Sequence, residues 1–287
     1  MEFIFDGGGQ VTYELSTLIA LAIAEDLAGG VDVTSHATIP EHQESIALFV
    51  TRAAGVIAGI SAAIEVLHYV GIEKVEALVT DGTKVEAHTL ILKATGNTRQ
   101  ILLAERTALN FLTHLSGIAT ETRRWVDLVS GTKCLIRDTR KTTPGWRALE
   151  KAAVRAGGGT NHRLSLSDAA LIKDNHIVAA GGVLEAFDFV RKYDPDISVE
   201  VEVDTLDQLH VILAAKPDLI LLDNMSPALC IEAVALAAGQ VKLEASGGIT
   251  FANALEYAET GVDYLAVGAL THSAKSLDIG LDLMMGI

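Results

Sequence analysis

Residues 198–223, SVEVEVDTLDQLHVILAAKPDLILLD, contain one complete period of the second half of the chain. Ser198 to Val203 reads as a short apolar strand carrying two glutamates. Leu206 to Ala215 has apolar residues at helical spacing, and Leu219 to Leu222 is a second short strand. The strands are followed by Asp204 and Asp223. The same unit recurs on both sides of this stretch. Strands are predicted at Cys134–Arg137, Ala170–Lys173, Lys242–Ala245 and Tyr264–Val267, and each is followed by a polar residue or glycine: Asp138, Asp174, Ser246 and Gly268. Helices at Leu184–Lys192 and Ala228–Ala238 have lengths suited to crossover connections. Repeated βα units with polar strand ends predict a parallel α/β barrel with its active site on the C-terminal rim. Six strands rather than eight make that barrel an incomplete or variant one.

The preceding part has a different rhythm. Leu15–Leu27 reads as a helix that stops at Gly29-Gly30, and Ser45–Thr51, Gly55–Ala58, Val75–Val79 and Thr89–Lys93 read as short strands with a turn at Asp81-Gly82. This is a small α+β unit. From Arg99 to about Val129 the pattern is helical, and Ser116-Gly117 is expected to break it into two helices. The domain boundary is therefore placed there: residues 1–116, to which 275–287 can add, and residues 117–274.

The 287 residues include 22 Lys and Arg against 37 Asp and Glu, a formal net charge of −15. That charge excludes a general nucleic-acid or anionic-membrane binder, because the mean field repels phosphate. It is unevenly spread. Residues 133–174 carry nine basic and four acidic side chains, a cationic island suited to a small anion. With 49% hydrophobic and 21% charged residues the chain can bury a sizeable core. Cys134 and Cys230 show neither metal-ligand nor disulfide spacing, no apolar run is long enough for a membrane span, and the start MEFIFDGGGQ lacks the basic character of a signal peptide. The expectation is a cytoplasmic protein with reduced thiols.

Within the island, DTRKTTPG (138–145) follows a strand and precedes a helix. Arg140 offers a planar fork for carboxylate or phosphate, Lys141 a compact second charge, and Thr139 a hydroxyl donor. In GGGTNHR (157–163) the three glycines can bring backbone N–H groups to an anion or form a flexible loop, and they are followed by His162, Arg163 and, at a strand end, Lys173. Arg147, Lys151 and Arg155 repeat at helical spacing and read as a solvated helix face. Glu202 and Asp223 end consecutive strands, where they suit a Mg²⁺–phosphate complex or serve as ordinary salt-bridge partners. Ser246, Gly247 and Gly248 after one strand, and Gly268 and His272 after the last, suit a phosphate cradle or close packing.

Ordered motifs over nearly the whole chain resemble the quinolinate phosphoribosyltransferase family: AEDL (24–27) with DVT (32–34), GVIAG (55–59), AERTALNFL (104–112), LSGIAT (115–120), DTRKTTPG, GGGTNHR, LIKDNH (171–176), VEV (201–203), LLDN (221–224) and EASGGI (244–249). A molybdenum-transport-associated group shares that fold but differs at 138–143 and 171–176. It remains an alternative, as does a non-catalytic phosphate-ligand-binding protein. The resemblance implies an N-terminal α/β sandwich domain beside the open barrel, and a homodimer or higher oligomer with shared active sites. It implies transfer of phosphoribosyl from phosphoribosyl pyrophosphate to quinolinate with Mg²⁺, giving nicotinate mononucleotide, pyrophosphate and CO₂ in NAD biosynthesis. By the same resemblance Arg140, His162 and Arg163 clamp quinolinate with Arg106 of a second copy, and Lys141 and Lys173 act at the departing pyrophosphate. Glu202 and Asp223 act near ribose and Mg²⁺, and Ser246, Gly247, Gly248, Gly268 and His272 hold phosphate.

Overall fold

Exposed and buried residues alternate along Glu44–Thr51, which makes this segment a half-buried strand and the centre of the first sheet. The computed structural model describes residues 4–5, 11–12 and 15–285; the glycine-rich start on which the signal-peptide expectation rests lies mostly outside them. The first unit runs β1 (Ile4–Phe5), β2 (Val11–Thr12), α1 (Leu15–Leu27), α2 (Val33–Thr38), β3 (Glu44–Thr51), β4 (Gly55–Val56), α3 (Ile60–Tyr69), β5 (Lys74–Ala77), β6 (Lys84–Val85), β7 (Leu90–Asn97) and α4 (Thr98–Val129). The βα units follow as β8 (Leu135–Arg137), α5 (Arg147–Ala156), β9 (Ala170–Ile172), α6 (Asp174–Ala180), α7 (Val183–Tyr193), β10 (Val199–Val203) and α8 (Leu206–Leu213). They continue through β11 (Leu219–Asp223), α9 (Pro227–Ala237), β12 (Lys242–Ser246), α10 (Ala254–Glu259), β13 (Tyr264–Ala266), α11 (Ala269–His272) and β14 (Ile279–Met285).

The first sheet is antiparallel, ordered β14-β3-β7-β5. Its edge strand comes from the far end of the chain: Ile279 lies opposite Thr51 and Met285 opposite Ser45. The long helix α4 starts on Asn97, whose side chain accepts from the N–H groups of Arg99 and Gln100. It runs for 32 residues, so the expected break at Ser116-Gly117 does not occur. Those two residues are close-packing devices. Ser116 Oγ lies 3.0 Å from the Ala58 N–H and 3.1 Å from its carbonyl, and a methyl group on residue 117 would run into the backbone of Lys275 and Ser276. The missing side chain lets the segment leading to β14 cross α4 at contact distance.

The six strands β8 to β13 are all parallel, ordered β8-β13-β12-β11-β10-β9. This is the cyclic order of a barrel with one open seam, between β8 and β9. At that seam Thr160 extends the edge of β8, its N–H reaching Ile136 O at 2.8 Å and its carbonyl accepting from Asp138 N at 3.1 Å. Register then sorts the strand residues into two faces. Val203, Leu222, Ala245, Leu265 and Ile136 pair across successive strands and are all buried, each larger side chain stabilising the fold by ~1.5–3 kcal/mol. Helices α7, α8 and α10 pack around the sheet, and α4 against β8. The opposite face carries Glu202, Leu221 and Glu244 in one row, with Asp223 paired to Ser246 and Ala266 to Arg137 nearer the strand ends. The glutamates of VEVEV therefore point into the barrel.

Cys134 and Cys230 are free and buried, and burial pushes the thiols up to about 12 and about 11, so neither is poised as a nucleophile. Among the described residues no helix is long and apolar enough to cross a membrane.

Candidate active site

Asp138, at the end of β8, is wholly buried and its carboxylate is saturated. Oδ1 accepts from Lys151 Nζ at 2.5 Å and from the His162 N–H at 2.8 Å; Oδ2 accepts from Asn161 Nδ2 at 2.6 Å. Lys151 also donates to the His162 carbonyl at 2.9 Å, and burial holds its ammonium below the usual lysine range against the pull of Asp138. The expectation of a solvated basic face on α5 is thus wrong for Lys151, which has no exposure. Arg147 donates to Thr142 Oγ1 (3.0 Å) and Leu164 O (3.2 Å), and exposed Arg155 donates to Asn161 Oδ1. Glu150 accepts from the Thr143 N–H at 3.2 Å and lies 2.8 Å from His114 Nε2 on α4. Helix α5 therefore braces both basic loops. The three glycines have their N–H groups taken in the same brace: Gly157 by Ala153 O, Gly158 by Arg155 O and Gly159 by Val154 O. They are neither an anion cradle nor a loose loop.

The loops so fixed enclose a pocket of about 520 Å³ on the polar face of the sheet. Of the residues singled out in the sequence, Thr139, Arg140, Lys141, His162, Arg163, Lys173, Glu202, Asp223, Ser246 and Gly247 line it. Arg140 and Arg163 each bury an Nε that has no partner among the described residues. Arg163 donates from NH1 to Ala169 O at 2.9 Å, and burial together with the charge of Arg140 presses its guanidinium below the usual range. Two neighbouring half-buried cations, each with an unused donor, form a receptor for an anion. The imidazole of His162 is already occupied: Nδ1 accepts from the Arg163 N–H at 2.7 Å, which leaves the proton on Nε2, 2.9 Å from Glu200 Oε2.

Lys173 pairs with Glu202 across the pocket. Asp223 accepts from Asn224 Nδ2 at 2.6 Å, and burial, followed by Asp204 and Asp174, raises its carboxyl above the usual range. At the end of β12, Gly247 has φ +85° and Gly248 φ +65°, and a Cβ on residue 247 would strike the Asn224 carboxamide. Gly248, Gly268, His272 and Arg106 do not line this pocket. Gly268 and His272 neighbour Lys141, whose carbonyl accepts from Thr271 Oγ1 at 2.8 Å, whereas Arg106 is exposed on α4. Glu244, Leu171, Leu221, Asn224 and Ala266 also line the pocket and were not singled out. The signal for Glu244 was present as an acid between Leu243 and Ala245, two residues before Ser246, a position that shares its face.

An open α/β barrel with converging cations at its strand ends defines an enzyme of small polyanionic substrates. The chain belongs to the quinolinate phosphoribosyl transferase family, with residues 32–116 matching the N-terminal domain and 118–282 the C-terminal domain. It is 51% identical over 271 residues to the nicotinate-nucleotide pyrophosphorylase (carboxylating) of Mycobacterium leprae, covering 92% of this chain and 95% of that one. A quinolinate phosphoribosyltransferase (decarboxylating) of Nicotiana tabacum is 42% identical over 95% of this chain and 83% of its own. The solved nicotinate-nucleotide pyrophosphorylase of Francisella tularensis superimposes with TM-score 0.91 and 41% identity, covering 98% of this chain and all of that one.

Proposed function

We propose that this chain transfers phosphoribosyl from phosphoribosyl pyrophosphate to the ring nitrogen of quinolinate and releases pyrophosphate and CO₂, giving nicotinate mononucleotide for NAD biosynthesis. The observation that carries this reading is the pair Arg140 and Arg163, each with a buried unpartnered Nε, in one pocket with Lys141 and Lys173. Quinolinate brings two carboxylates. Bidentate contacts from Arg140 and Arg163 hold them and aim the ring nitrogen at the ribose carbon, where proximity supplies much of the rate. His162 fixes the Arg163 backbone within this clamp. Lys141 and Lys173 stabilise charge on the departing pyrophosphate. Thr139, Ser246 and Gly247 hold phosphate at the pocket wall, and Gly248, Gly268 and His272, which lie outside that wall, meet the phosphate that extends beyond it.

Glu202 and Asp223 face the ribose and the cationic charge that develops on it. Their oxygens also suit Mg²⁺, because Asp223 has Asn224 as its one hydrogen-bond partner among the described residues while Asp204 and Asp174 leave its surroundings negative. When bound, the metal neutralises pyrophosphate oxygens. Ring N-ribosylation then makes the pyridine cationic, which stabilises the carbanion left at the adjacent carbon as CO₂ departs. The deciding measurement is CO₂ release from carboxyl-labelled quinolinate, dependent on phosphoribosyl pyrophosphate and Mg²⁺; turnover of nicotinate without CO₂ would overturn the reading.

The functional unit of this cytoplasmic enzyme is a homodimer. Residues 1–116 with 275–287 form one domain and 117–274 the other, and exposed Arg106 completes the partner's pocket. Mixed Arg106→Ala and Lys141→Ala proteins should then regain part of the activity that each lacks, and no recovery despite proven subunit exchange would exclude a shared site.

A further inference from the structure

We propose that Glu244 is the acid that delivers the proton replacing the lost carboxyl group, from a buried store built with His162, Glu200 and Arg137. This rests on the reading above and adds a residue to its last step. Loss of CO₂ leaves an electron pair on the ring carbon beside the nitrogen, and each turnover must form one C–H bond there. The four groups assigned to clamp and leaving group are cations bound to anions, so none of them is free for this task.

Glu244 is on β12, lines the same pocket as Arg140 and Arg163, and has no solvent exposure. Its Oε2 accepts from Arg137 NH1 at 2.7 Å. Its Oε1 is buried, has no hydrogen-bond partner and lies 3.6 Å from His162 Nε2. Glu200 Oε1 is orphaned in the same way. The group therefore holds two carboxylates against one guanidinium and a neutral imidazole, which leaves one negative charge on buried oxygens. Binding a proton on a carboxyl oxygen removes it, because a buried charge without a counter-charge is strongly disfavoured. Burial and the Glu200 charge hold the Glu244 carboxyl up at about 7, against the Arg137 guanidinium and against the His162 ring when it carries a second proton, both of which lower it. Other groups face this store. Tyr264 on β13 lies under Arg137 at 4.4 Å and takes Lys242 Nζ at 3.1 Å; Arg140, Lys141 and Lys173 approach from the pocket. Leu221 separates Glu244 from Glu202 in the sheet register.

In the step, the Oε1–H bond breaks as the carbanion pair forms the C–H bond. Glu244 is left as a carboxylate paired with Arg137, and water returns the proton once product leaves. The test is rapid-quench single turnover of the full-length enzyme with labelled quinolinate, following pyrophosphate and nicotinate mononucleotide separately. In Glu244→Gln the rate of mononucleotide formation relative to pyrophosphate formation should fall by about 10²-fold or more, with the N-ribosylated dicarboxylate accumulating. In the wild type mononucleotide formation should decline as pH rises through about 7, where Glu244 gives up its proton, and this limb should vanish in the variant. Equal slowing of both steps, or of neither, would overturn the proposal. Should Glu244→Gln not fold, Glu244→Asp keeps a titratable acid and must retain the pH limb; its absence there would also overturn it. A wild type that forms no pyrophosphate from quinolinate overturns the activity itself, whereas normal turnover with unsplit steps in the variant overturns this inference alone.

Discussion

The cations on the rim loops and those on helix α5 come from the same basic stretch of chain, yet they have opposite positions in the structure. Arg140 and Arg163 each bury an Nε that nothing among the described residues accepts, and Lys141 is exposed at the pocket. Lys151 and Arg147, between them in the chain, spend their donors on Asp138, His162, Thr142 and Leu164. One row is left incomplete so that a substrate can complete it, and the other is completed internally so that the first stays in place. Local positive charge alone does not distinguish them; the acceptors within reach do.

Breaking the internal row should cost the most stability. Lys151→Met leaves the Asp138 carboxylate buried without its cation and should destabilise the fold by about 3–5 kcal/mol, read as a lower midpoint in urea. Breaking the incomplete row should do the reverse. Arg163→Ala should leave the urea midpoint close to that of the wild type, because it relieves repulsion with Arg140, while kcat/KM for quinolinate falls about 10–150-fold, the equivalent of ~1.5–3 kcal/mol in charged hydrogen bonds. A variant that lost stability and kept activity would invert the comparison. Arg147→Ala tests whether the brace transmits to the site: loss of its two bonds should cost ~1 kcal/mol each and raise KM for quinolinate by loosening the 139–145 loop. Exposed Arg155→Ala should change stability by less than ~1 kcal/mol and leave KM alone.

The rhythm of the βα units was fully legible, and the six strands of the parallel sheet fall within a residue of their predicted ends. Period-two and helical-period patterns are local properties, and so are the polar residues that mark strand ends at Asp138, Asp223 and Ser246. The pocket was legible for the same reason, since residues at the C-terminal ends of neighbouring parallel strands must share a rim. Ser116-Gly117 misled because a small-residue pair signals either a break or a close approach. Which one depends on the segment at Lys275, some 160 residues further along the chain. Glu200 and Glu244 went unassigned because an acid inside a strand is costly by itself. Their places become intelligible once Arg137 and His162 are brought against them.

The sequence by itself therefore determined the fold class, the rim and the family, because these follow from short-range periodicity and ordered motifs. Only the tertiary structure decided which cations are free, where the glycine N–H groups are spent, and in what register the chain's last strand pairs with β3. Each of those depends on the partner found across the molecule, and spacing along the chain does not specify that partner.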